Sequence, residues 1–470
     1  MKLGERVSSL KNISMSRWLW IFLAIALLRG ALYTFVVPPW QHPDEPTHFE
    51  HMLDIATAGG IVPENYVSLP LRRGISSSML AHNFWKGITQ PGLDDQSLSA
   101  VGWSPLGIYA LTQPKLYYVI GALWVRPWLG FPVDFQLYIV RLLSVFLNLV
   151  VVAVTFYTAR RLFSDKDYIV LAVIGFVVFL PGYTDDMSAV NNDVLANVLA
   201  ALFFGLVALV YRNRWNWRAL ILLGLLLALA ILTKTTALIL VMTLPALFLF
   251  YPAWSFKRKW AVLLSVVVLV GLATWYVFQF NQPLFQSLVA KLGQYLRVNM
   301  SDSWQAMLNL GNLRLYYATA LTVFKSFWAA FGWRHVTISS VFYWTLGAIT
   351  LIAAGGLVVW TTFQLVRKNW TGLTHWRISY LIASASAVIL AWLVAIVRGQ
   401  MVQGHGIYLS HGRYAYVALL PFALLFVLGL GQWLPARWHK KASVALVILM
   451  AVFDAVCFWG YLVHYYYLKA

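Results

Sequence analysis

Apolar runs recur along the chain, separated by short clusters of arginine and lysine, at roughly 17–37, 137–159, 167–183, 194–211, 218–233, 235–251, 259–280, 341–366, 377–397, 414–433 and 442–466. A helix needs about 20 residues to cross a hydrocarbon core of about 30 Å. Backbone polar groups in lipid must be satisfied within the chain, and these runs lack the alternation of a barrel strand, so each predicts a helix. The pattern therefore predicts an all-α polytopic membrane protein with about 11 transmembrane helices. Two further aromatic-rich segments, 114–130 and 316–333, have helical length. Making either one a span would reverse the charge pattern downstream, so both are predicted to be interfacial helices on the outer side.

Composition supports this reading, with 61% hydrophobic and 11% charged residues among 470. With the N-terminus inside, every inner connection is basic: Arg160, Arg161 and Lys166; Arg212, Arg214 and Arg218; Lys257, Arg258 and Lys259; Arg367, Lys368 and Arg377; Arg437, Lys440 and Lys441. That is the positive-inside pattern. Of the 16 acids, twelve fall outside, and seven of those lie between residues 44 and 95. The net charge of +19 thus follows from topology and attraction to anionic membrane lipids, and no nucleic-acid module is visible. Residues 1–470 read as a single transmembrane domain with outer loop 1 at 38–136, outer loop 2 at 281–340, smaller outer segments at 184–193 and 398–413, and no separate soluble domain. The basic N-terminus reads as a retained anchor, since its apolar run continues to Val37 with no small-residue cleavage site. Cys457, the single cysteine, excludes an intrachain disulfide framework.

The densest chemistry lies where the first span ends, in Pro38-Pro39-Trp40-Gln41-His42-Pro43-Asp44-Glu45-Pro46-Thr47-His48-Phe49-Glu50-His51. Pro43 and Pro46 stiffen the turn that carries Asp44 and Glu45, and a carboxylate partly withdrawn from water can be tuned toward a useful base. The alternative is an interfacial turn with solvated acids. Lys234, in the tight outer turn between two spans, is costly there unless it meets water, a carboxylate or a phosphate. Arg413 opens the tenth span, and its planar fork suits a phosphate; Arg334 and Arg398 are further candidates. Arg141 either contacts substrate or holds the first loop through an acid. His42, His48 and His51 raise a divalent metal, but no His-Glu-x-x-His motif is present, so no ligand set is assigned; His48 is expected to hydrogen-bond a loop carboxylate. Asp185, Asp186 and Asp193 either bind sugar or an ion, or stabilise a helix N-terminus. Trp85, Trp103, Tyr109, Tyr117 and Tyr118 either stack on sugar or form an interfacial belt. Asp454, inside the last span, needs a partner or a watered pocket.

These blocks together resemble the C-type glycosyltransferase superfamily. After the Asp-Glu loop come Gln113-Pro114-Lys115-Leu116-Tyr117-Tyr118, Arg141-Leu142-Leu143-Ser144, Ala159-Arg160-Arg161-Leu162-Phe163, Asn191-Asn192-Asp193 and Leu232-Thr233-Lys234-Thr235-Thr236, in family order. Pro43-Asp44-Glu45-Pro46-Thr47-His48-Phe49, Phe327-Trp328-Ala329-Ala330-Phe331-Gly332-Trp333 and His411-Gly412-Arg413-Tyr414 are similar to a bacterial polytopic family within it. Lys115 departs from the family's Pro-Pro-Leu-Tyr-Tyr pattern. The resemblance implies a C-type glycosyltransferase-like fold in the bacterial cytoplasmic membrane and a polyprenyl-phosphate-linked sugar donor. It also implies an acidic base in the first outer loop, here Asp44, with Glu45 orienting the acceptor or a metal. Substrate contacts are expected from His48, Lys115, Tyr117, Arg141, Asn192, Asp193, Lys234, Arg334 and Arg413. With one base, direct displacement inverts the sugar. A glycan or lipid acceptor is expected, recognised by the membrane domain itself. The competing function is a transporter or flippase of a lipid-linked saccharide; the internal repeats and broken midplane helices of such proteins are not seen in the sequence.

Overall fold

A computed structural model describes residues 3–63, 65–86, 89–100, 103, 113–213, 217–251, 257, 264, 313–367, 375–403 and 411–468. The expected span 259–280 apart from Leu264, most of outer loop 2 and Tyr109 lie outside the described residues, as does the side chain of Arg398. Helix α1 (Leu3–Val36) leads through the Pro38-Pro39 break to α2 (Glu45–Ala58), α3 (Leu69–Ala81), α4 (Asp95–Ser99) and α5 (Leu116–Val125). Next come α6 (Val133–Leu162), α7 (Asp167–Val178), α8 (Pro181–Asp186), α9 (Asp193–Asn213), α10 (Trp217–Ile231) and α11 (Leu238–Leu249). The C-terminal part holds α12 (Leu313–Ala329), β1 (Ala330–Phe331), β2 (Val336–Thr337), α13 (Ser340–Arg367), α14 (His375–Gln403), a 3-10 turn (Gly412–Ala418), α15 (Leu419–Gly431), α16 (His439–Ala455) and a π-helix (Val456–Leu468).

Among the described residues, seven helical stretches are long and apolar enough to cross a bilayer: Met15–Val36, Val133–Leu162, Asp193–Arg212, Ser340–Phe363, His375–Ile396, Gly412–Gly431 and Ala436–Leu468. The expected spans at 167–183, 218–233 and 235–251 appear as shorter apolar helices, Asp167–Val178, Trp217–Ile231 and Leu238–Leu249. Prolines and turns account for the shortening: Pro181 opens a separate short helix at its first position, and Thr233 and Lys234 separate α10 from α11. The expected helix at 316–333 ends at Ala329, because residues 330–337 turn back as a two-stranded hairpin pairing Ala330 with Thr337 and Phe331 with Val336. Gly332 and Arg334 take left-handed φ of 60° and 68° in its loop. The 114–130 segment is α5, packed against α2.

Packing fixes the loops that carry chemistry. Helix α6 lies between α1 and α9, while α7 packs on α15 and α16. The first span and the last are joined by charge: Arg29 donates to both carboxylate oxygens of Asp454 and to Thr184 Oγ1 at 2.9 Å, and Tyr33 donates to Asp454 Oδ1 at 2.9 Å. Arg29 is thus the partner that the buried Asp454 requires, and through Thr184 the pair also holds α8. Helices α13 and α15 approach through glycines: a Cβ on Gly429 would lie 2.0 Å from the Ala353 carbonyl oxygen, and one on Gly356 2.0 Å from the Gly429 oxygen. Small residues are what allow such contact between membrane helices. Gly429→Val is expected to force the pair apart at a cost of about 1–3 kcal/mol, read as a lowered thermal midpoint of the detergent-purified protein. An unchanged midpoint would mean that these helices do not meet there.

Candidate active site

The first loop is built around a buried ion pair. Arg141, projecting from α6, gives Nε to Glu45 Oε1 at 2.8 Å and one Nη2 hydrogen to Oε2 at 2.6 Å. Its other three hydrogens reach the carbonyls of Thr34 (2.9 Å), Val37 (2.6 Å) and Pro38 (3.0 Å). All five guanidinium donors are used within the protein. Glu45 also accepts from the backbone N–H of Trp40 at 3.1 Å and of Val190 at 3.3 Å. Burial raises the Glu45 carboxyl, but Arg141 leads the opposing effects and the net pKa is lowered. Both side chains are fully buried, so Glu45 and Arg141 are turned toward each other and the loop backbone.

This clamp holds an unusual backbone. Trp40 and Asp44 both have left-handed φ, 72° and 62°, which asparagine and aspartate tolerate but a bulky residue resists. Trp40 is kept there by three bonds: its N–H to Glu45, its Nε1 to Ser78 Oγ at 2.8 Å, and its carbonyl accepting from Trp333 Nε1 at 3.0 Å. The left-handed turn at Asp44 then starts α2 with Glu45 and Pro46 in its first turn.

Asp44 meets Arg413. The guanidinium donates Nη2 to Asp44 Oδ2 and Nη1 to the Pro43 carbonyl at 3.4 Å, and its Nε lies 3.3 Å from Asp193 Oδ2. The same Asp193 oxygen is ion-paired with Lys234. An alternating chain results, Asp44–Arg413–Asp193–Lys234, drawn from the first loop, the 3-10 turn, the start of α9 and the α10–α11 turn. Asp44 is its accessible end, with a side chain 25% exposed against 4% or less for the others. The Tyr414 ring lies beneath both cations, 5.5 Å from each. Burial acts to raise the Asp44 carboxyl, yet Arg413 and the neighbouring positive groups prevail and hold it at about 2.

Local sequence explains each placement. Asn192 Nδ2 donates to the Thr233 carbonyl at 3.3 Å, and the Leu116 N–H donates to the Leu232 carbonyl at 3.1 Å, so the Leu-Thr-Lys turn is tied to both α9 and α5. Gly412 packs on Phe327, where a Cβ would lie 2.2 Å from the backbone nitrogen, and its own N–H reaches Ser326 Oγ at 2.7 Å. His411 Nδ1 accepts from the Arg413 N–H at 3.1 Å. Burial first, then Arg413 and Arg334, lower the His411 pKa well below the ordinary imidazole value. Arg334, on the hairpin loop, is lowered by burial and then by Arg413, which places a third cation beside the pair.

The remaining candidates form a second row. His48 Nδ1 meets the Tyr118 hydroxyl at 2.7 Å with the rings stacked, and burial lowers the imidazole to about 3. Tyr118 is the neighbour found for His48 where a loop carboxylate was expected, although Asp44 acts on it through charge. Lys115 Nζ lies 3.1 Å from His51 Nε2, and burial followed by Lys115 holds His51 at about 3. His42 Nδ1 lies 3.3 Å from Asp185 Oδ1. The three histidines therefore face three different partners, and no cluster of three or more potential metal-ligating side chains is present among the described residues. Tyr117 is buried, and burial raises its phenol above the ordinary value. Trp103 donates to the Gly92 carbonyl at 2.9 Å and packs edge-on with Trp85.

Asp186 is one of the three loop acids that the sequence offers to a sugar, an ion or a helix N-terminus. It is buried, accepts from Asn191 Nδ2 at 3.2 Å, and lies close enough to Asp193 that burial and then that charge push its carboxyl up to about 8. Only its neighbourhood to Asp193, on the other side of a tight loop, could have signalled this. Asp54, on α2, is likewise raised to about 8 by burial and then by Glu50, which is itself paired with Arg72. Because the folded pKa lies above the unfolded one, the native state binds the extra proton between about pH 4 and pH 8, and stability falls as pH rises through that window. Asp54→Asn is expected to flatten this slope, stabilising the protein at pH 8 with little change at pH 4, as read by thermal unfolding at both pH values.

Residues 122–278 match the family model of dolichyl-phosphate-mannose-protein mannosyltransferases, about a third of the chain and a part that includes Arg141, Asn192, Asp193 and Lys234. Among solved structures the chain is similar to the crystal structure of ArnT from Cupriavidus metallidurans bound to undecaprenyl phosphate. That likeness has 16% identity over 89% of this chain and 78% of that one, with a TM-score of 0.35. No curated protein sequence matches. The chain is a helical polytopic membrane protein by the length and composition of its described helices, and its middle third is similar to that mannosyltransferase family. The resemblance carried by its motif order is thus met by a family match through its middle third.

Proposed function

We propose that this protein is an integral membrane glycosyltransferase that moves a sugar from a polyprenyl-phosphate carrier to a cell-envelope glycan or lipid. It works on the outer face of the bacterial cytoplasmic membrane, with its N-terminus inside. The observation that carries the reading is the chain Asp44–Arg413–Asp193–Lys234, in which the loop acid pairs with Arg413 and Asp193 joins that cation to Lys234. Arg413, Lys234 and Arg334 gather beside Asp44 and Asp193, a cation-rich setting that suits the single negative charge of a sugar phosphodiester.

In the reaction, the acceptor hydroxyl oxygen attacks the anomeric carbon while the bond from that carbon to the phosphate oxygen breaks. Asp44 takes the hydroxyl proton, and the carrier leaves as polyprenyl phosphate, its new charge stabilised by Arg413 and Lys234. One base and one displacement invert the anomeric centre. Glu45 and Arg141 position Asp44, holding the loop by their buried pair. Lys115, Tyr117, His48 and Asn192 are assigned to contacts with donor and acceptor.

The test is incubation of the detergent-purified protein with radiolabelled polyprenyl-phosphate sugars and a cell-envelope extract. Label transferred to an envelope glycan or lipid, lost in Asp44→Asn, supports the reading. Movement of the intact labelled lipid across a proteoliposome membrane without transfer would replace it with a flippase.

A further inference from the structure

The proposed base and the proposed phosphate ligand are bound to each other. Arg413 points one arm of its fork at Asp44 Oδ2 and the other at the Pro43 carbonyl, while its Nε faces Asp193. The arm best placed to reach an incoming group at the accessible end of the chain is therefore already occupied by a carboxylate. A carboxylate in that pairing is also a weak base, and Asp44 is held at about 2. One arrangement cannot both grip a phosphate and receive a proton.

We propose that the donor phosphate takes the place of Asp44 on Arg413, so that the base is released only when the donor is bound. The inference rests on the donor reading above and assigns the order of events within that site. A phosphate presents the guanidinium fork with the same pair of acceptor oxygens as a carboxylate, and with better complementarity. Arg413 need not move: its ion pair with Asp193 and its own backbone contact to His411 stay in place. The motion falls to the Asp44 side chain, since Pro43, Pro46 and the Glu45–Arg141 clamp hold the backbone around it. Freed from the guanidinium, the carboxylate keeps its partial burial, which acts in the direction of a stronger base. The donor then binds before the acceptor is deprotonated, and an acceptor or a water molecule arriving alone finds Asp44 engaged.

Asp44 competes with phosphate for one guanidinium, and a double-mutant cycle on ligand binding reads that competition without recourse to activity. Undecaprenyl phosphate binding to the full-length protein in detergent would be measured for wild type, Asp44→Asn, Arg413→Gln and the double variant, each checked for a monodisperse, cooperatively unfolding state. The expected result is binding at least tenfold tighter in Asp44→Asn, weaker in Arg413→Gln, and no tighter in the double variant than in Arg413→Gln, including no binding in either. A gain that survives in the Arg413→Gln background would show plain charge repulsion and overturn the exchange, as would no gain in Asp44→Asn. Wild-type protein that does not bind undecaprenyl phosphate would overturn the donor reading itself, a different outcome. Asp44→Ser, which also removes the carboxylate, runs the same cycle should Asp44→Asn fail to fold.

Discussion

Asp44→Asn should lower the rate of sugar transfer by about 10²–10⁴-fold, the usual contribution of a positioned general base, while leaving the protein folded. The structure explains both halves. The Asp44 side chain makes no capping bond to α2, and its backbone sits at φ 62°, a conformation asparagine adopts readily. Arg413 loses one partner but keeps Asp193 and the Pro43 carbonyl. What disappears is the only carboxylate of the Asp44–Arg413–Asp193–Lys234 chain that is more than marginally accessible. Rates measured with a labelled lipid-linked donor, together with a thermal midpoint within a few degrees of wild type, check this; transfer at the wild-type rate would remove Asp44 from the chemistry.

The neighbouring acid is expected to behave in the opposite way. Arg141→Met should destabilise the protein by about 3–5 kcal/mol, because it strands the Glu45 carboxylate in a buried site with no countercharge. Three backbone carbonyls, those of Thr34, Val37 and Pro38, would lose their donor in the same step. Removing the charge as well, in Glu45→Gln/Arg141→Met, should recover part of that loss, since the stranded carboxylate is then gone. Thermal and chemical unfolding of the three proteins measure it. Equal midpoints for Arg141→Met and wild type would mean that the pair does not hold the loop. Adjacent acids of one motif thus separate into two kinds of defect: lost turnover when Asp44 is changed and lost stability when the partner of Glu45 is removed.

That separation marks where the sequence is legible and where it is not. Charges buried in an apolar chain must find one another, so the pairing of Lys234 and Arg413 with outer-side acids could be anticipated from their scarcity alone. Which acid meets which cation could not. Asp44 and Glu45 are neighbours in sequence, but the left-handed turn at Asp44 points one carboxylate toward Arg413 and the other toward Arg141, and that turn depends on Trp40, Ser78 and Trp333, which are far apart in the chain. Arg29 was a missed signal of another kind. It lies well inside the first span as Asp454 lies inside the last, and two opposite charges in otherwise apolar helices are each other's natural partners.

The helices themselves follow from the apolar runs, since lipid leaves no other backbone arrangement. Their lengths do not. Runs at 167–183, 218–233 and 235–251 read as spans of ordinary length, yet their helices are cut to Asp167–Val178, Trp217–Ile231 and Leu238–Leu249. In the first case Pro181 starts a new helix that brings Asp185 and Asp186 inward; in the second, the turn at Thr233 and Lys234 delivers a cation to Asp193. Hydropathy alone cannot distinguish a run that crosses from one that bends to deliver a side chain. The departures from regular spans gather at the acids and cations of the candidate site.

A structure of the full-length protein determined with undecaprenyl phosphate bound tests the central claim most directly. The phosphate is expected within hydrogen-bond reach of both Arg413 and Lys234, with the Asp44 carboxylate turned off the guanidinium toward the acceptor side. Phosphate bound away from those two cations, with Asp44 still on Arg413, would contradict it.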